Sequence, residues 1–242
     1  MSKKTKISSK GISVYYSEKK ALDNVSFDVN EKQVTSLIGP SGCGKTALGA
    51  HIAQTSEFPF LRYVGPNNFV GMGEATKLRE IVTCFEDAYK SDLSLIVLDD
   101  LERLLDYVRI GPRFSNAVLQ TLMVLVKKAP TNPNRKLVII GTCSDTDFLR
   151  DCELFDAFNV ALGIPLVTPE SIGHVLDSRG LFSRQALESL QQHVERPLGI
   201  RDVFQVSEMA IQKAQTSKQP MDAQLFLECF SDCGIDIGGM RM

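Results

Sequence analysis

The stretch Val34-Thr35-Ser36-Leu37-Ile38-Gly39-Pro40-Ser41-Gly42-Cys43-Gly44-Lys45-Thr46-Ala47-Leu48 decides how this chain is read. Its apolar start reads as a buried strand, its glycines as a tight loop, and the residues from Lys45 as a helix. Gly39 to Thr46 matches G-x-x-x-x-G-K-[ST], and the flanking strand and helix are the setting in which that pattern carries meaning. Glycines let the loop wind so that main-chain N–H groups point inward, and the helix N-terminus adds partial positive charge. The loop is therefore expected to cradle the phosphates of ATP through Gly39, Pro40, Ser41, Gly42, Cys43, Gly44, Lys45, Thr46 and Ala47. Lys45 reaches the β- and γ-phosphates on this reading, and the Thr46 hydroxyl ligates Mg2+. Cys43, at a helix N-terminus beside Lys45, is expected to be a reactive thiol.

Downstream, Leu95-Ile96-Val97-Leu98-Asp99-Asp100 reads as a buried strand ending in two acids, where phosphate-loop enzymes keep a magnesium carboxylate. Asp99 is the metal-side residue. Asp100 takes the place of the base that polarises the attacking water, and its side chain is one methylene shorter than the more usual glutamate. Misplacing a base by about 1 Å can cost on the order of a hundredfold, so slow hydrolysis is expected.

Composition bounds the remaining classes. The 242 residues carry 27 Lys and Arg against 29 Asp and Glu, so no basic footprint points to a nucleic-acid partner. The longest apolar runs, such as Leu122 to Val126, fall far short of the roughly 20 residues a membrane span needs, so no direct membrane insertion is expected. Four lysines in the first ten residues lead into no apolar stretch, which disfavours a secretory signal. The six cysteines follow neither a disulfide nor a zinc spacing, and reduced thiols in the cytoplasm are expected.

Strand and helix patterns alternate from Val34 to Ile164 in the rhythm of parallel βαβ units, and after Pro165 the pattern is helical throughout. The expected fold is α/β: a phosphate-loop NTPase with a parallel sheet flanked by helices and a C-terminal α-helical lid. The expected divisions are a β-rich segment over residues 1–33, a nucleotide-binding domain over 34–166 and the lid over 167–242. Strands are expected at 12–16, 25–29, 34–38, 60–64, 93–98, 136–142 and 159–164, the first three as a small antiparallel start. Helices are expected at 45–54, 75–89, 114–128, 168–177, 183–193, 199–215 and 222–232, with a further one ending near Phe158.

Three segments carry a resemblance: KTALGAHIAQTSEFPF, FEDAYKSDLSLIVLDDLERLLDYVRIGPRFSNAVLQTLMVLVKKAP and KLVIIGTCS. Over about residues 45–235 the chain resembles the second AAA+ ATPase domain of the vesicle-fusing, N-ethylmaleimide-sensitive family, ring machines that take apart SNARE complexes. The resemblance implies a hexameric homo-oligomer, SNARE and adaptor partners, and vesicle fusion as the setting. It places Ser144 at the sensor-1 position, where a polar side chain orients water and senses the γ-phosphate; the same residue could instead cap a helix. It places Arg201 at a basic sensor-2-like position that contacts phosphate. Asn68-Phe69-Val70-Gly71 falls where such rings present a pore loop, so Phe69 either faces a channel or joins the core. No arginine stands at Phe155-Asp156-Ala157-Phe158, where many relatives supply one to a neighbour's γ-phosphate, and this also points to slow turnover.

Residues 11–44 are similar to something else, the opening of a phosphate-import ABC transporter ATPase, in which Tyr16 would stack on adenine. An ATP-binding transporter subunit is therefore the alternative reading. It is weakened by the lack of an LSGGQ-type signature further on.

Overall fold

The computed structural model describes residues 5–16, 19–30, 34–108, 113–177, 183–217 and 221–238, and over 5–30 chiefly the path of the backbone. Strands β1 (Thr5–Tyr16) and β2 (Lys19–Asn30) pair in a two-stranded sheet of their own. Both are longer than expected, and β3 (Val34–Ile38) does not join them. Successive residues Thr35, Ser36 and Leu37 of β3 are all buried, so both its faces are covered, and that suits the interior of a parallel sheet.

That sheet has five strands in the order β4-β5-β6-β3-β7, with β4 at Phe60–Val64, β5 at Leu93–Leu98, β6 at Lys136–Cys143 and β7 at Val160–Gly163. Every pairing is parallel: Ile96 stands opposite Ile139, Leu37 opposite Thr142, and Leu37 also opposite Leu162. The first core strand in sequence, β3, therefore lies between β6 and β7, while the chain crosses from it to the far edge at β4. Such a reversal opens a crevice at the carboxyl ends of the strands, where ligands of open α/β sheets bind.

Helices α1 (Lys45–Thr55), α2 (Glu74–Ala88), α3 (Leu101–Leu104), α4 (Asn116–Lys127) and α5 (Thr146–Asp151) connect the strands. Spacings of three and four put Ile81 and Phe85 of α2 and Val118, Leu122 and Leu125 of α4 on inward faces, against Ile96 and Leu98 of the sheet. Burying a side chain of this size contributes about 1.5–3 kcal/mol. Helix α4 begins after Ser115, whose hydroxyl accepts the Val118 N–H at 3.1 Å. The helix expected to run to Phe158 instead stops at Asp151: Glu153 takes φ 59°, and a separate 3-10 turn covers Phe155–Ala157.

The chain divides into two compact units. One takes in Lys45–Ile164 with β3, and the other takes in Pro40–Gly44 and the residues from Pro165 onward. The second unit is built on α6 (Pro169–Asp177), α7 (Arg184–His193), α8 (Ile200–Ser217) and α9 (Ala223–Asp232). Its own core gathers Leu176, Leu190, Val203, Val206, Phe226 and Phe230. Asp222 caps α9 by accepting the Leu225 N–H at 2.8 Å.

Candidate nucleotide-binding site

The phosphate loop turns where its glycines allow. Gly42 and Gly44 take φ of 85° and 96°, which side chains with a Cβ rarely adopt. The Cys43 N–H closes the turn on the Pro40 carbonyl at 3.3 Å. At the start of the loop the Gly39 N–H donates to the Cys143 carbonyl at 3.2 Å, tying the end of β3 to the end of β6. Lys45 and Thr46 open α1. Lys45 and Ala47 are buried, Thr46 is exposed, and Pro40 and Ser41 are exposed at the tip.

Thr46 and Asp99, far apart in sequence, meet at the carboxyl edge of the sheet. The Thr46 hydroxyl donates to Asp99 Oδ1 at 2.8 Å. Thr142, completely buried at the end of β6, donates to the same oxygen at 2.6 Å and accepts the Asp100 N–H at 2.9 Å. Tyr63, near the end of β4, donates to Asp99 Oδ2 at 2.5 Å. Asp99 is 7% exposed, so its charge is compensated by these hydroxyls rather than by bulk water. Oxygen donors of this kind suit magnesium, which keeps several waters and leans on one or two protein ligands plus phosphate oxygens.

Asp100 sits directly behind in a left-handed conformation, φ 54° and ψ 60°, and heads α3. Burial, and then the nearby Glu102 carboxylate, holds its carboxyl above the ordinary range. Arg103 lies 3.4 Å away on the next turn and opposes that shift only in part. Ser144 is half-buried just past β6, and its N–H donates to Glu102 Oε1 at 2.6 Å. The cap of α5 is Asp145, which accepts the Phe148 N–H, so Ser144 is not spent on capping.

The remaining expected residues stand elsewhere. The Arg201 side chain is exposed and pairs with Asp202 at 3.5 Å, while its main-chain N–H donates to the Gly42 carbonyl at 3.2 Å. Tyr16 closes β1, and its side chain lies outside the described residues. Phe69 packs against the core with the Lys77 ammonium 5.9 Å from its ring, whereas Val70 beside it is 80% exposed. The expectation of a reactive Cys43 needs correction, because its side chain is 2% exposed. Access as well as thiolate character governs thiol chemistry, and Cys43 lacks access.

Thr142, Tyr63 and Glu102 are site residues that sequence reasoning passed over. For Thr142 and Tyr63 the strand ends on either side of β5 were the available signal, but using it requires the strand order, and Glu102 lies on α3 instead.

Comparison with known proteins fits this geometry. A family model described as "ATPase family associated with various cellular activities (AAA)" matches residues 35–166. The chain belongs to the AAA family. Its matched span takes in the phosphate loop, Asp99, Asp100 and Ser144 together. The vesicle-fusing ATPase of Arabidopsis thaliana is 37% identical over 220 residues, covering 87% of this chain and 29% of that protein. The vesicle-fusing ATPase of Dictyostelium discoideum is 42% identical over 73% of this chain and 24% of its own length. The vesicular-fusion protein SEC18 of Saccharomyces cerevisiae is 43% identical over 57% of this chain and 18% of its own length. The chain thus spans less than a third of these relatives. The transporter alternative gains no support, since the AAA match runs unbroken from the phosphate loop through both acids. Among the described residues no helix is long and apolar enough to cross a membrane.

Proposed function

We propose that this AAA chain is a Mg-ATP-binding ATPase unit that assembles into a homo-hexameric ring, turns over slowly, and serves SNARE disassembly and vesicle fusion in the cytoplasm. The observation that carries the reading is the Thr46–Asp99 hydrogen bond at 2.8 Å, which joins the phosphate loop to the carboxylate at the crevice of the sheet. The names of the relatives, vesicle-fusing ATPase and vesicular-fusion protein, supply the setting.

Main-chain amides of the loop after Pro40, up to Thr46, hold the phosphates, Lys45 adds a positive charge, and Thr46 with Asp99 holds magnesium. Bound magnesium neutralises charge that builds up on the phosphate oxygens. Asp100 orients the attacking water from a short side chain, Ser144 senses the γ-phosphate, and Arg201 contacts phosphate. The short Asp100 side chain holds its carboxyl further from that water than a glutamate would, and no arginine stands at Phe155-Asp156-Ala157-Phe158 to reach a neighbour's γ-phosphate. Both features favour binding and assembly over turnover.

Size measurement by light scattering tests the reading, with and without Mg-ATP, on the wild type beside Lys45→Ala. A ring that forms with nucleotide in the wild type and not in the variant supports it. A wild type that binds Mg-ATP and stays a monomer contradicts the ring.

A further inference from the structure

Tyr63 is an odd residue for its position. It lies on the edge strand β4, is 43% exposed, and still spends its phenol on a buried carboxylate. The strand register brings it there: Val64 stands opposite Leu98, and the Asp99 N–H donates to the Val64 carbonyl at 2.8 Å. A second feature seats the ring. A Cβ on Gly65 would come within 3.0 Å of Tyr63 Cε1 and 3.4 Å of its hydroxyl, so the bare glycine makes room for the phenol.

The direction of approach decides what the bond does. Strand β5 lies between β4 and β6, so Tyr63 reaches Asp99 from the side opposite Thr142. Thr46 and Thr142 share Oδ1, and Tyr63 takes Oδ2. We infer that Tyr63 is a positioning residue for the metal-side carboxylate, its hydroxyl holding Oδ2 so that Oδ1 stays turned toward Thr46 and nucleotide-borne magnesium. The inference rests on the reading of Asp99 as the magnesium carboxylate. A hydroxyl on the far oxygen orients the ligand without occupying its metal side, and partners of this kind typically contribute tenfold or more to metal affinity.

Titration calorimetry tests it with ATP in EDTA and with ATP plus Mg2+, on the wild type, Tyr63→Phe and Gly65→Ala. In EDTA all three are expected to bind ATP alike, because the amide cradle is untouched. With Mg2+, the gain in affinity seen in the wild type is expected to fall about tenfold in Tyr63→Phe, and also in Gly65→Ala, where the added methyl displaces the ring. Replacing Mg2+ by Mn2+ gives a second readout: electron paramagnetic resonance of Mn-ADP on the protein should show an altered environment in Tyr63→Phe. An equal Mg2+ gain in wild type and Tyr63→Phe overturns the inference. A wild type that binds ATP with no Mg2+ gain overturns both the inference and the reading of Asp99 beneath it, and the wild-type arm alone reveals that case.

Discussion

The buried Thr142 hydroxyl donates to Asp99 Oδ1 across 2.6 Å and in the same position accepts the main-chain N–H of Asp100. One side chain on β6 thereby fixes both the Asp99 carboxylate, the proposed magnesium ligand, and the backbone that carries the next acid. Thr142→Val keeps the shape and removes both bonds. It should destabilise the fold by about 2 kcal/mol, since it leaves a buried donor and a buried charge short of partners. Thr142→Ser should recover most of this. Denaturant midpoints of the three proteins check the order, and equal midpoints for wild type and Thr142→Val would count against the role.

Asp100 predicts a pH effect. Its carboxyl is held above the ordinary range by burial and then by Glu102, so the folded chain keeps a proton that the unfolded chain releases. Stability is then lost as pH rises from the ordinary carboxylate value through the raised one. Asparagine carries no charge to bury and tolerates the left-handed backbone at this position. Asp100→Asn should therefore melt above the wild type at neutral pH, with the gap closing as the pH drops below the usual aspartate range. A gap that ignores pH would contradict this account of the site.

Gly141 predicts a packing effect. A Cβ there would lie 2.6 Å and 2.7 Å from the Phe158 ring and 3.1 Å from Leu101 Cδ1. Phe158 and Leu101 are both buried in the core, so neither moves freely. Gly141→Ala is expected to lower stability by about 1–3 kcal/mol through overpacking. Thermal unfolding measures it, and an unchanged melting temperature would show that the ring yields at little cost.

Most of the parallel sheet and the helices were legible in the sequence because their signals are local. The run from Val34 to Thr46 contains strand, loop and helix start in one window, and Leu95 to Asp100 carries its acids at a strand end. The hidden parts depend on strand order. Nothing near Tyr63 says that β4 lies beside β5, or near Thr142 that β6 lies on the other side, so the three-hydroxyl clamp on Asp99 appears only when the sheet is assembled. Cys43 misled for the opposite reason. Its neighbours predict an active thiol, but the turn of the loop points the side chain into the protein.

Isothermal titration of the folded wild type with Mg-ATP, beside Lys45→Ala, bears most directly on the central claim. The account predicts saturable uptake of one ATP per chain by the wild type and sharply weakened uptake by the variant. No heat of nucleotide binding from well-folded wild-type protein would contradict it.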